Sequence, residues 1–97
     1  MAAEVIWSDA AQADRKAILS YWKIRNGNST YSTKLLTRFN SAVANLIAFP
    51  YLGRPSDHPG VRVFPVGEYL IFYRSATEGI LILHVWDGRR DLSAMEF

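Results

Sequence analysis

The chain has no cysteine among its 97 residues. That excludes disulfides, thiolate metal sites and a cysteine nucleophile. A secreted domain this short commonly carries disulfides, so the absence points to a reducing cytoplasm. No apolar run approaches the ~18 residues of a membrane-spanning helix. The first residues, MAAEVIWSDAAQADRK, lack the basic-then-apolar order of a secretory signal, so a cytoplasmic protein is expected. The two histidines, His58 and His84, stand far apart, and no glycine-rich phosphate loop is present. No metal site and no cofactor are therefore expected. Neither sign of charge predominates. The net charge is +2, which permits an acidic partner without demanding nucleic acid.

What remains is an ordinary globular composition, 49% hydrophobic and 21% charged, expected to fold as one domain over 1–97. Glu4-Val5-Ile6-Trp7 reads as a short strand. Ser8 and Asp9 offer N-cap oxygens, and Asp9 with Gln12 fits a capping box. Ala10, Ala13, Ala17, Ile18, Tyr21 and Trp22 then recur at helical spacing. Asn26-Gly27-Asn28 stops that helix. A second helix is expected from about Thr30 to Phe49, with Leu35, Phe39, Val43 and Leu46 on its stripe. Pro50 ends it, because proline lacks the donor and disfavours helix in the residue before it. Residues 50–60, PYLGRPSDHPG, read as a loop. Three apolar runs follow, at Val61–Phe64, Tyr69–Arg74 and Ile80–Trp86. The tight turns between them predict an antiparallel meander.

That meander is apolar on both faces. Side chains alternate across a strand. Strict alternation puts Ile80, Ile82, His84 and Trp86 on one face of the last strand. A helix pair covers only one face of a sheet. The other face is expected to hold Phe64, Phe72, Ile82 and Trp86, rimmed by Arg62, Arg74 and His84. Apolar area with a polar rim marks a binding surface, so a partner chain is expected to cover it. The alternative is cover by the chain's own 50–60 loop or its C-terminal tail.

VIWSDAAQADRKAILSYW, FPYLGRP, GVRVFPVGEYLIFYR and ILILHVWDGRRD occur in that order along nearly the whole chain. In order and spacing they resemble the RelE/ParE superfamily of toxins from bacterial type II toxin–antitoxin modules. The resemblance implies an α+β fold of order β-α-α-β-β-β, an antiparallel sheet with a helical hairpin packed on one face. It also implies a toxin of a plasmid-stabilisation type module, paired with a cognate antitoxin as a hetero-oligomer. The superfamily holds two activities. RelE-like members cut messenger RNA in the ribosome without metal; ParE-like members bind and poison DNA gyrase.

Metal-free RNA cleavage needs groups to activate the 2′-hydroxyl, stabilise the developing charge and protonate the leaving oxygen. Arg62, Arg74, His84, Arg89 and Arg90 are the candidates, with Glu68 as the nearest carboxylate. Against that reading, Leu70 stands where RelE-like nucleases tend to place an arginine. The tail DLSAMEF has no tyrosine or histidine, and the 50–60 loop has no lysine. YLIFYR, a strand and then GRRD resemble the ParE-like branch more closely, which implies binding rather than chemistry. The expected antitoxin- or target-binding set is Arg62, Phe64, Phe72, Arg74, His84, Trp86, Arg89 and Arg90. Paired arginines suit a carboxylate or phosphate partner through bidentate contacts; equally, Arg89 and Arg90 with Asp87 and Asp91 form a local ion-pair cluster. A ribosome-dependent nuclease, or a degenerate member acting only by interaction, remain the alternatives.

Overall fold

The computed structural model describes residues 4–92 and residue 95. Strand β1 spans Glu4–Trp7, helix α1 Asp9–Asn26 and helix α2 Thr30–Ala48. Strands β2 (Arg54–Pro55), β3 (Arg62–Val66), β4 (Tyr69–Ala76) and β5 (Gly79–Asp87) follow. They form one five-stranded sheet in the order β1-β5-β4-β3-β2. The α+β fold and the helix pair on one face are as the sequence implies. The sheet is mixed, however. The pairs from β2 to β5 are antiparallel, while β1 lies parallel to β5 at one edge, with Val5 opposite Ile80. The two-residue β2 forms the other edge, inside the stretch expected to be loop throughout.

The N-cap of α1 is Ser8, not Asp9. The Ser8 hydroxyl accepts from the Ala11 N–H at 3.0 Å and donates to the Leu83 carbonyl at 2.9 Å, so one oxygen both starts the helix and ties it to β5. At the other end Gly27 takes the left-handed conformation that closes a helix, with φ 71°. Ala10, Ala13 and Ala17 are exposed. Ile18 and Trp22 face inward as expected, but Ala11 and Asp14 share that face in place of Ala10, Ala13 and Ala17. Helix α2 follows expectation: Leu35, Phe39, Val43 and Leu46 are buried. Ser32 ties the helices together by donating to the Leu19 carbonyl at 2.7 Å.

The main core lies between the helices and one sheet face. Phe39, Leu35 and Leu46 pack against Ile71, Tyr73, Ile80, Ile82 and Val85. A second, smaller cluster on the opposite face holds Val61, Val63, Phe72, Trp86 and Met95, with Leu70 and Leu83 partly buried against it. Here the expectation of cover by a partner chain is overturned, and the alternative, cover by the chain's own tail, holds. Phe72 is 5% exposed and Trp86 8%, and Met95 of the C-terminal tail packs with them. The chain covers its own second face.

A β-bulge explains why Ile82 does not share this face with Trp86. Phe72 pairs with His84, but the next residue of β4, Tyr73, pairs with Ile82, so Leu83 is an extra residue in β5. Alternation resets there. Ile82 belongs to the helix-side core and Trp86 to the other face, although four residues separate them. Phe64 also sits on the helix side, packed against the main core and opposite Ile71.

Candidate binding groove and its surroundings

Beyond the short β1, the edge of β5 is covered by α1. The Asp14 carboxylate accepts from the Val85 N–H at 3.1 Å and lies 2.9 Å from His84 Nδ1. A carboxylate only accepts, so the ring nitrogen donates. Together with Ser8 on the Leu83 carbonyl, these bonds satisfy edge groups that would otherwise be open to another strand. The sequence singled out His84 but not Asp14. The available signal was a carboxylate one helical turn from both Ala11 and Ile18, on the apolar side.

Where α1 leaves the sheet, a groove opens toward the end of β5. Ala17 and the half-exposed Tyr21 form one wall, Tyr69 and Val85 the floor, and Arg89 and Arg90 the rim. The Trp22 indole N–H donates to the Tyr69 hydroxyl at 2.7 Å and fixes that floor. Burial pushes the Tyr69 phenol above its ordinary value of 10.0, against the opposing effect of the Trp22 bond.

The two arginines have different roles. Arg89 forks onto Asp87: Nε donates to Oδ1 at 3.0 Å, Nη2 to Oδ2 at 2.8 Å, and the Arg89 backbone N–H to Oδ1 at 2.9 Å. A third nitrogen lies 3.5 Å from Glu68. The side-chain and backbone bonds from Arg89 hold the Asp87 carboxyl below its ordinary value of 3.8, and the Arg89 guanidinium is raised in turn. Arg90 instead lays its guanidinium over the Trp86 ring, 4.1 Å from the centroid. The Trp86 indole N–H is buried without a hydrogen-bond partner among the described residues, so its face is engaged while its polar edge is not.

The eight residues expected to form one binding surface fall into separate neighbourhoods. Arg89, Arg90, Trp86 and His84 gather at the end of β5, where the His84 and Trp86 rings meet edge-on at 5.9 Å. Phe72 is buried in the second cluster. Arg62 is opposite Tyr73, and its guanidinium donates to the Gly53 carbonyl at 2.7 Å. It does not rim the second face. Arg74 is exposed near the far end of β4, opposite Leu81. Asp87, which holds Arg89, pairs with Tyr69, so Arg74 is five residues, ~17 Å, away along the strand. The candidate nuclease groups are therefore not gathered around one reacting atom. Among the described residues there is no cluster of His, Asp or Glu able to hold a metal, and no helix long and apolar enough to cross a membrane.

In sequence and in overall fold the chain is similar to known toxins. A family model for the ParE toxin of the type II toxin–antitoxin system parDE matches residues 5–92. Toxin ParE3 of Caulobacter vibrioides is 39% identical over 71 residues, 71% of each chain. A chain from the chromosomal ParDE TA system of P. aeruginosa superposes with a TM-score of 0.76 at 26% identity, covering 89% of this chain and 96% of that one.

Proposed function

This chain belongs to the ParE toxin family of type II toxin–antitoxin systems, and from that premise we propose that it binds and poisons DNA gyrase in the cytoplasm and is neutralised by a cognate antitoxin. The observation that supports binding over chemistry is the dispersal of the acid–base candidates. Arg62 and Arg74 lie toward one end of the sheet, away from Arg89 and Arg90 at the other; His84, beside Trp86, is engaged by Asp14, and Arg89 by Asp87. General acid–base catalysis needs its groups within hydrogen-bond reach of one substrate. An aromatic and basic groove needs only complementarity, and tyrosine, tryptophan and arginine are the residues that concentrate binding energy.

In this reading the groove between α1 and the end of β5 takes a carboxylate-bearing apolar segment of the antitoxin. Tyr21 and Ala17 offer apolar contact, and Arg90 offers a guanidinium held in place by Trp86. The complex is a hetero-oligomer.

Brief induction followed by two measurements tests the proposal. Breaks in plasmid DNA that need gyrase are the expected result. Codon-phased cleavage of translated messenger RNA would instead assign the chain to the RelE-like activity. The Arg89→Ala/Arg90→Ala double variant is expected to stay toxic when induced alone but to escape neutralisation by the co-expressed antitoxin. The single variants should differ: Arg90→Ala removes the presented guanidinium, whereas Arg89→Ala mainly loosens the strand end. A double variant that the antitoxin neutralises as fully as the parent removes both residues from the site.

A further inference from the structure

A second surface stands apart from the groove. Between α2 and β2 the chain reads Phe49-Pro50-Tyr51-Leu52-Gly53, and three of these residues are large, apolar and exposed: Phe49 is 64% exposed, Tyr51 76% and Leu52 47%. Scattered apolar residues on a surface need no explanation, but a run of them on one loop does.

The loop is held rigidly from below. The Tyr73 hydroxyl, on a side chain with no exposure, donates to the Pro50 carbonyl at 2.8 Å and accepts from the Gly53 N–H at 2.9 Å. Arg62 donates to the Gly53 carbonyl at 2.7 Å and lies 4.9 Å from the Tyr51 ring centroid. The Leu52 N–H donates to the Phe49 carbonyl at 3.0 Å. Gly53 is buried so tightly that a Cβ there would fall 2.7 Å from the Tyr73 ring. Buried hydrogen bonds that fix a loop tip, while its apolar side chains face outward, do little for the core. They remove the ordering cost of binding, which is how rigid aromatic anchors gain affinity.

From this we propose that the Phe49–Leu52 loop is a preformed knob that inserts into an apolar pocket with an acidic rim on a protein target. Charge selects that occupant. The stretch from Phe49 to Ser56 contains no aspartate or glutamate, and Arg54 and Arg62 flank the exposed rings. Three apolar groups between two cations fit a protein pocket rimmed by carboxylates better than a row of phosphates.

The loop and the groove are separate. Tyr69 floors the groove and Tyr73 clamps the loop, four residues or ~13 Å apart along β4. They also lie toward opposite edges of the sheet, β5 for the groove and β2 for the loop. The inference rests on the toxin reading above and deepens it: the loop contacts the target, while the groove is left for the antitoxin.

The test compares the full chain with a Phe49→Ser/Tyr51→Ser variant. Both positions are exposed, so the variant is expected to melt close to the parent. Growth arrest on induction is the first readout and binding to purified DNA gyrase the second. The expected result is loss of arrest together with gyrase binding weakened about 30-fold or more, the effect of truncating a binding hot spot. A folded variant that arrests growth as fully as the parent overturns the proposal. So does a parent dimer that the variant converts to monomer, because the loop would then serve self-association, or parent binding to naked DNA that the variant loses. A parent that arrests growth without binding gyrase overturns the gyrase reading alone, and the growth comparison still decides the role of the loop. Tyr73→Phe supplies an independent arm. It keeps the exposed rings and removes only the clamp, and is expected to weaken target action at temperatures where the variant remains folded. Full activity in Tyr73→Phe would overturn the claim that the knob is preformed.

Discussion

Asp14→Ala tests whether α1 closes the β5 edge through one carboxylate. Asp14 Oδ2 takes the Val85 N–H at 3.1 Å and approaches His84 Nδ1 at 2.9 Å, and the two side chains are 24% and 14% exposed. Both bonds are part-buried, so water can replace them only in part. A hydrogen bond to a charged group contributes about 1.5–3 kcal/mol. The Asp14 side chain still has some access to water, so its loss is set near the low end, at about 2 kcal/mol. For a domain of this size that corresponds to a fall in melting temperature of about 8–16 °C. Asp14→Asn keeps an oxygen acceptor for Val85 and is expected to lose about half as much. Denaturant titration gives the magnitude. Amide hydrogen exchange at Val85 gives the location, since its protection should fall by more than the global loss of stability. An Asp14→Ala variant within about 0.5 kcal/mol of the parent, or one in which Val85 keeps its share of protection, would refute the edge-cap argument.

Two further perturbations probe other contacts. Gly53→Ala places a Cβ 2.7 Å from the Tyr73 ring and 2.9 Å from the Val63 carbonyl, so overpacking is expected to cost about 1–3 kcal/mol by chemical denaturation; a neutral result would mean the loop is not clamped as described. Arg89→Ala should let the Asp87 pKa rise toward the ordinary 3.8, followed by NMR titration of its carboxyl. The sign follows from the depressed folded value. The pair adds stability above the ordinary aspartate range and loses it as pH falls through the folded value, so the difference between parent and variant should vanish in acid. An Asp87 titration unchanged by the substitution would show that Arg89 is not the cause.

Much of the architecture was legible because its signals are local. Pro50 and Gly27 mark helix ends through backbone chemistry that needs no neighbour. Tight turns between apolar runs dictate antiparallel pairing. Features that depend on tertiary partners were not legible. The parallel pairing of β1 is a long-range contact with no turn to announce it. Helix α1 misled because alanine is nearly as content outside as inside. Ala10, Ala13 and Ala17 fit a stripe as well as Ala11 does, and only Asp14 marks the true face, by an exception to apolarity. The FPYLGRP stretch carries the composition of a loop and nothing that tells which of its side chains face outward. That its rings face outward depends on Tyr73, twenty residues from Gly53.

The site was partly legible; Ile82 was misplaced by a single extra residue in β5, and Arg62 and Phe64 by the β3–β4 register, which sets them opposite Tyr73 and Ile71 on the helix side. Because the side-chain period of a strand is two, one inserted residue exchanges the faces of everything beyond it. Leu83 does this in β5, so counting by twos from Ile80 keeps Ile82 with Trp86 when they lie on opposite faces. The supposed excess of apolar surface was also overcounted. With Ile82 and Phe64 turned toward the helices, the second face holds Phe72, Trp86 and four valine or leucine neighbours, and Met95 of the tail packs with them. An argument for a partner from uncovered sheet area therefore fails for this chain. What survives points elsewhere, to surfaces the alternation pattern could not reveal: a groove edged by Arg90 on Trp86, and an outward-facing loop fixed by a buried tyrosine. Because the described residues bury both sheet faces, the proposed contacts with other proteins fall to the helix-edge groove and the loop.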